Sequence, residues 1–225
     1  MTRKIGFGLL WLGFIVYAFF LAPPDRPDTF ELIKNLSTGQ WQGINPLVIA
    51  LFNIMGIWPV IYSALVLFDG RGQKIRAWLF AIASFAVGAF ALLPYLALRQ
   101  PNPQFQGQKN AVLKLLDSRV TGVGLTIATA ILVAYGLQGN WADFAQQWQT
   151  SRFIHVMSLD FVLLCLLFPA LLGDDMARRG WKNPALFWLI TLIPLFGPLI
   201  YLCVRPPLIE GRVDNISSQQ QTVTN

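Results

Sequence analysis

Charge is what this chain has least of. Asp, Glu, Lys and Arg make up 12% of its 225 residues, about half the share found in a soluble globular domain. That excludes an ordinary water-facing fold. Histidine is nearly absent: His155 is the single one, which leaves no histidine cage for a haem or metal. There are two cysteines, Cys165 and Cys203. Both lie in apolar stretches outside any CxxC spacing, so they form no disulfide framework and act as small apolar side chains. No GxxxxGK[ST] stretch offers a phosphate cradle, and no lysine falls in an apolar stretch to anchor a retinal Schiff base. No cofactor or metal is implied. Lys and Arg outnumber Asp and Glu by 17 to 11, a net charge of +6. These cations sit in short loops and form no basic stripe, so no nucleic-acid partner is expected.

What the chain does have is apolar length. Its mean hydropathy is +0.52, and its apolar residues gather into six runs, uncharged but for one aspartate: Ile5–Ala22, Pro46–Phe68, Ala77–Leu98, Val120–Leu137, Phe153–Leu172 and Ala185–Val204. Each is near the roughly 20 residues that cross a bilayer. Backbone polar groups must be satisfied internally there, so the runs predict helices. The expected fold is all-α, a polytopic membrane protein with six transmembrane helices and the lipid bilayer as its first partner. The first run ends at Ala22-Pro23-Pro24 without a small-residue cleavage site, which predicts an uncleaved first helix. Trp41, Trp78, Trp141, Trp148, Trp181 and Trp188 fall at or near the ends of the runs, as an interfacial aromatic belt requires.

The chain also repeats itself. Gln40-Trp41-Gln42 recurs as Gln147-Trp148-Gln149, and Tyr95-Leu96-Ala97-Leu98-Arg99 is echoed by Tyr201-Leu202-Cys203-Val204-Arg205. At the same 106-residue offset as this echo, Asp69 maps onto Asp175 and Arg76 onto Lys182. A constant offset predicts a duplicated unit: residues 1–99, a connector 100–119, a second unit 120–205 and a disordered polar tail 206–225. Three crossings per unit would insert the second copy upside down, with the two Gln-Trp-Gln segments on opposite membrane faces. Counted that way, Lys and Arg divide almost evenly between the faces, as two oppositely inserted copies would produce.

Few residues can carry chemistry. Asp160 is the only charged side chain within a run. A carboxylate there costs on the order of 3 kcal/mol, so it is expected to face a partner or a cavity. At an offset of 107 its counterpart is Asn53. One reading makes the two a proton- or cation-handling pair at the centre of an inverted repeat. The other makes a protonated Asp160 the hydrogen-bonding glue between helices. His155 lies five residues earlier, about 140° around a helix from Asp160, so the two do not share a face. Pro and Gly interrupt the runs, and Gly88 maps onto Pro194 at the 106 offset; matched breaks of this kind point to transporter sites. The turns bearing Asp69 and Arg71, and Asp174, Asp175, Arg178 and Arg179, pair acid with base, which predicts ion pairs pinning each turn at headgroup level.

Trp148, Asp160, the Asp174–Gly180 turn and the ending Pro198–Arg205 resemble a family of small three-helix bacterial membrane proteins of unknown function. The chain looks like two members in tandem, as in cyanobacterial and plastid-related proteins. This resemblance implies a bacterial inner membrane or thylakoid location and brings no activity with it. Three functions are therefore expected in order: a small proton-linked ion or solute carrier, a non-catalytic subunit that assembles or stabilises a membrane complex (or a homo-oligomer), and last an enzyme acting on an isoprenoid or carotenoid.

Overall fold

The computed structural model describes residues 2–105 and 107–208, and among these there is no strand. In the first repeat, α1 (Thr2–Val16) runs on through a π turn (Tyr17–Leu21). Then come α2 (Thr29–Thr38), α3 (Pro46–Asp69), α4 (Ala77–Val87) and α5 (Ala89–Leu98). A connector helix, α6 (Ala111–Asp117), leads to α7 (Arg119–Gly136), α8 (Trp141–Thr150), α9 (Arg152–Leu167), α10 (Pro169–Arg178), α11 (Pro184–Leu192) and α12 (Phe196–Val204). The expected tail lies, from residue 209 on, outside the described residues.

Local chemistry sets the helix starts. Asn45 accepts from the Leu47 amide at 3.0 Å and is followed by Pro46 at the first helical position, whose missing N–H costs nothing there. Ser118, Asn140 and Asn183 cap α7, α8 and α11 in the same way.

Among the described residues four helices are long and apolar enough to cross a membrane: Thr2–Leu21, Pro46–Asp69, Arg119–Gly136 and Arg152–Arg178. The expectation of six spans is corrected by the other two apolar runs, each of which folds back on itself. Residues 77–98 break at Gly88, whose φ of 50° and ψ of −124° reverse the chain, a conformation open to glycine and strained for a residue with a Cβ. The arms have 11 and 10 residues, about 16 and 15 Å long, or half a bilayer core each. Both ends of the segment return to the end of α3: Arg99 Nε donates to Asp69 Oδ2 at 2.7 Å, and Gly70 lies against Ala77. Residues 184–204 break at Ile193-Pro194-Leu195, with Leu195 at φ 63°. They too return to one end, where Arg205 Nη1 donates to Asp175 Oδ2 at 3.2 Å.

With two long apolar helices and one hairpin per unit, both units run the same way. The inverted relation is therefore corrected to a parallel one. Both units start at one end of the bundle, where Arg3 Nη2 donates to the Arg99 carbonyl at 2.8 Å and Arg205 Nη2 to that of Leu116 at 2.7 Å. At the other end, Asn45 Nδ2 donates to the Asn140 carbonyl at 2.8 Å and Arg152 Nε to that of Pro23 at 3.0 Å. The two Gln-Trp-Gln segments share this second end.

The charge count changes with the topology. Arg3, Lys4, Arg71, Lys74, Arg76, Arg99, Lys109, Lys114, Arg119, Arg178, Arg179, Lys182 and Arg205 now gather at the first end, leaving Arg26, Lys34 and Arg152 at the second. The near parity came from treating each hairpin as a crossing, and the corrected division is the strong asymmetry expected of oriented membrane proteins.

Packing follows from these positions. The central helix is α3, with Trp58, Ile61, Tyr62 and Leu65 at 0% exposure. α1 packs along α5 and α7 along α12, so each repeat sets its first span against the returning arm of its own hairpin. The outer surface of α1 and α7 stays apolar, with Leu9, Phe20, Val120 and Ile131 exposed, as a lipid-facing surface would be. α2 and α8 are amphipathic helices at the second end where only loops were expected.

Candidate functional site

The two echoes in the sequence meet in space. Asp69 closes α3, and Tyr95 and Arg99 lie one turn apart on the exit of α5, so both reach the same carboxylate. Tyr95 donates its hydroxyl to Asp69 Oδ2 at 2.5 Å, beside the Arg99 bond. The second repeat builds the same set: Tyr201 donates to Asp175 Oδ2 at 2.6 Å, next to Arg205. Arg178 ties the copies together, its Nη1 lying 3.1 Å from Asp69 Oδ1 and its Nη2 3.5 Å from Asp175 Oδ1. Arg99 also pairs with Asp174. Arg179 spans Asp175 at 2.8 Å and Asp117 at 2.7 Å, and Lys109 reaches Asp117 at 3.0 Å.

Asp69 and Asp175 are wholly buried, and Arg99 and Arg205 nearly so. A buried charge survives only when paired and hydrogen-bonded, and here four aspartates face four arginines and a lysine. At Asp117, burial would raise the carboxyl, but Arg179, Lys109 and the Leu208 amide outweigh it and hold the group below its ordinary value of 3.8. The turn charges were expected to pin two separate turns. Instead, Asp69, Asp174, Asp175, Arg178 and Arg179 join one cluster that clamps both hairpins to both repeats. Arg71 stays outside it and contributes its carbonyl, which accepts from Asn102 Nδ2 at 2.6 Å. The partners missed in the sequence, Tyr95, Arg99, Tyr201 and Arg205, share the 106 offset of the two aspartates, and that shared offset was the signal available to find them.

Asp160 lies deep in α9, 5% exposed. Its Oδ1 accepts the Ala89 amide at 2.8 Å, the first amide of α5 and so the positive end of a half-helix dipole. A Cβ on Gly88 would run into the same carboxylate. The tip of the first hairpin is thus gripped by a helix of the other repeat.

Asn53 is not its partner; the Asn53 Nδ2 donates to the Ile49 carbonyl of its own helix at 2.8 Å. The offset explains this. α3 and α9 start at Pro46 and Arg152, and the network aspartates are Asp69 and Asp175, each pair 106 residues apart. At that offset the equivalent of Asp160 is Ile54, not Asn53.

His155 stands apart from Asp160. Its Nδ1 lies 2.9 Å from the Trp148 carbonyl, which can only accept, so Nδ1 carries the proton. In the neutral ring, Nε2 then accepts from the Tyr17 hydroxyl at 2.8 Å. Trp148 stacks on the ring at 4.3 Å, so this tryptophan anchors α8 to α9 as well as belonging to the expected belt. Ser158 donates to the Ile154 carbonyl at 2.7 Å and forms no nucleophilic arrangement with His155.

Above α9, at the second end, α2 and α8 enclose a cleft of about 410 Å³ lined by Asp28, Glu31, Asn45, Asp143 and Gln147. Ile154 is also in its wall, six residues and about 9 Å of helix from Asp160. Among the described residues no group of three or more His, Cys, Asp or Glu is arranged to hold a metal ion. Comparison of the chain with protein-family models, curated proteins and solved structures finds no match.

Proposed function

We propose that this chain is an integral membrane protein that moves a small ion or polar solute in a proton-linked way, with the first hairpin tip as its gate. The observation that carries this reading is the Asp160 grip on the Ala89 amide. An ionised carboxylate accepts that hydrogen bond strongly and complements the half-helix dipole; a protonated one does so weakly. Loading a proton on Asp160 would loosen the tip, and losing it would close the tip again, so proton and solute share one element.

Two further features support the reading. Helix breaks at membrane depth go with sites and pathways in carriers, and the polar cleft, where Asp28, Glu31 and Asp143 outnumber the single cation Arg26, gives a cation or polar solute an approach toward α9. The charge asymmetry directs the basic end to the cytoplasm of a bacterial inner membrane or the stromal side of a thylakoid. The test is flux in proteoliposomes, read by an internal pH dye across a panel of small cations and solutes. Asp160→Asn keeps an acceptor for Ala89 and is expected to remain folded while proton-coupled flux is lost. Undiminished coupled flux would reject the reading.

A second reading, a non-catalytic subunit of a larger membrane complex, is favoured by the thin cover on the outer spans. Only 11% of the most apolar window of Thr2–Leu21 and 17% of that of Arg119–Gly136 are buried, leaving broad faces for another protein. Co-purification with a large complex in mild detergent supports it, and a monodisperse chain without partners counts against it.

A further inference from the structure

The basic end holds a second arrangement that the cluster does not use. The start of α1, the turn after α3 and the exit of α5 meet around a groove of about 290 Å³ whose lining includes Lys4, Gln73, Lys74, Ile75, Leu98 and Gln100. Its polar wall is fixed by a reciprocal pair: Gln73 Nε2 donates to the Gln100 carbonyl at 2.7 Å, and the Gln100 amide donates to Gln73 Oε1 at 3.0 Å. This pairing holds the turn against the chain leaving α5 and uses up the glutamine side-chain oxygen on its partner. Lys4 and Lys74 are exposed and make no ion pair among the described residues.

Among the described residues no carboxylate lines the groove, and none nearby is free to neutralise it. The described acids of this end, Asp69, Asp117, Asp174 and Asp175, are all held by the arginine and lysine network. The two ammonium groups therefore project a positive potential that no carboxylate among the described residues offsets. Below them the groove turns apolar. Leu98, at the exit of α5, is 54% exposed, and Ile5, next to Lys4 on the apolar outer surface of α1, is 58% exposed.

A site that is cationic above and greasy below fits an amphiphile carrying an anion at its head. A free nucleotide or sugar phosphate would leave Leu98 facing water and gain nothing from it. We infer that this groove seats the phosphate of an anionic lipid, with Lys4 and Lys74 on the headgroup and an acyl chain leaving past Leu98. A lipid there would tie the amino-terminal end of α1 to the base of the first hairpin, outside the ion cluster and independent of Asp160.

The experiment is native mass spectrometry of the full detergent-solubilised chain titrated with phosphatidylglycerol, with phosphatidylcholine and with inorganic phosphate alone. The wild type should retain phosphatidylglycerol in preference to phosphatidylcholine. Lys4→Gln with Lys74→Gln should weaken the phosphatidylglycerol adduct roughly tenfold or more, as expected for two lysines at an anionic headgroup, and leave the phosphatidylcholine signal unchanged. Lys114→Gln with Lys182→Gln removes the same charge from exposed positions at the same end and should leave the adduct intact. Equal weakening by both pairs would overturn the site in favour of diffuse surface charge. An adduct formed equally well by inorganic phosphate would overturn its assignment to a lipid. All four substituted lysines are exposed, so folding is not at stake, and neither result bears on the flux assay.

Discussion

The two hairpins of this protein have the same base and different tips. At the base, Asp69, Tyr95 and Arg99 are matched by Asp175, Tyr201 and Arg205, each Oδ2 taking a tyrosine hydroxyl and an arginine, through Nε of Arg99 and Nη1 of Arg205. At the tip, the first hairpin turns through Gly88 against Asp160. The second turns through Pro194 and Leu195, where the Leu195 amide faces the Cys165 thiol and Gly197 sits so close to the Ile190 carbonyl that a Cβ would collide. The two hairpins share the parts that hold each in the bundle, whereas their tips differ in chemistry. The first tip thus meets a carboxylate and the second a thiol, and the proposed proton-linked gate rests on the first.

The largest test of this comparison falls on the base. Asp175→Ala takes one carboxylate from three arginines and a tyrosine, and removing one partner from a buried ion network costs about 3–5 kcal/mol. Asp69→Ala should cost a similar amount. Thermal unfolding in detergent measures both, and a well-tolerated change at one site would break the equivalence of the bases.

The tip comes next. Gly88→Ala puts a Cβ both at a strained φ and against Asp160, at a cost of about 1–3 kcal/mol. In an Asp160→Ala background the collision is gone and the cost should shrink. The double-mutant cycle reports the coupling, and equal costs in the two backgrounds would show that Asp160 does not hold the tip.

The smallest effect is at the cluster's edge. The Asp117 side chain, 4% exposed, sits among Arg179, Lys109 and Arg205 and is held below its ordinary value of 3.8. Its folded value is lower than its unfolded one, so its contribution is complete above that ordinary value and fades as pH falls through the depressed one. Asp117→Asn should flatten the acid limb of the stability profile and leave the neutral limb parallel to wild type.

Much of this architecture was readable in the sequence. The apolar runs gave the helices, and the 106-residue offset of Asp69 and Asp175 gave the duplication. Even the matched breaks at Gly88 and Pro194 could be seen. The direction of the chain after each break could not be. A run of 22 apolar residues serves equally as one crossing or as two half-depth arms, because hydropathy records depth and not heading. That single ambiguity reversed the second repeat and hid the charge asymmetry. The amphipathic helices α2 and α8 were missed because they are short and polar on one face, although Asn140 and Asp143 mark the start of α8. The pairing of Asn53 with Asp160 failed by one residue: the Gln-Trp-Gln offset of 107 belongs to the segment before α3, and the helices themselves keep 106.

The central claim is that each third apolar run returns to the end it came from. It is tested most directly by labelling single cysteines with a membrane-impermeant maleimide in oriented vesicles, in a Cys165→Ala and Cys203→Ala background. Lys74→Cys, Pro103→Cys and Lys182→Cys should all react from one face, and Gln40→Cys and Gln149→Cys should both react from the other. Labelling of positions 74 and 103 from opposite faces, or of 40 and 149 from opposite faces, would contradict the parallel hairpin architecture and restore six crossings.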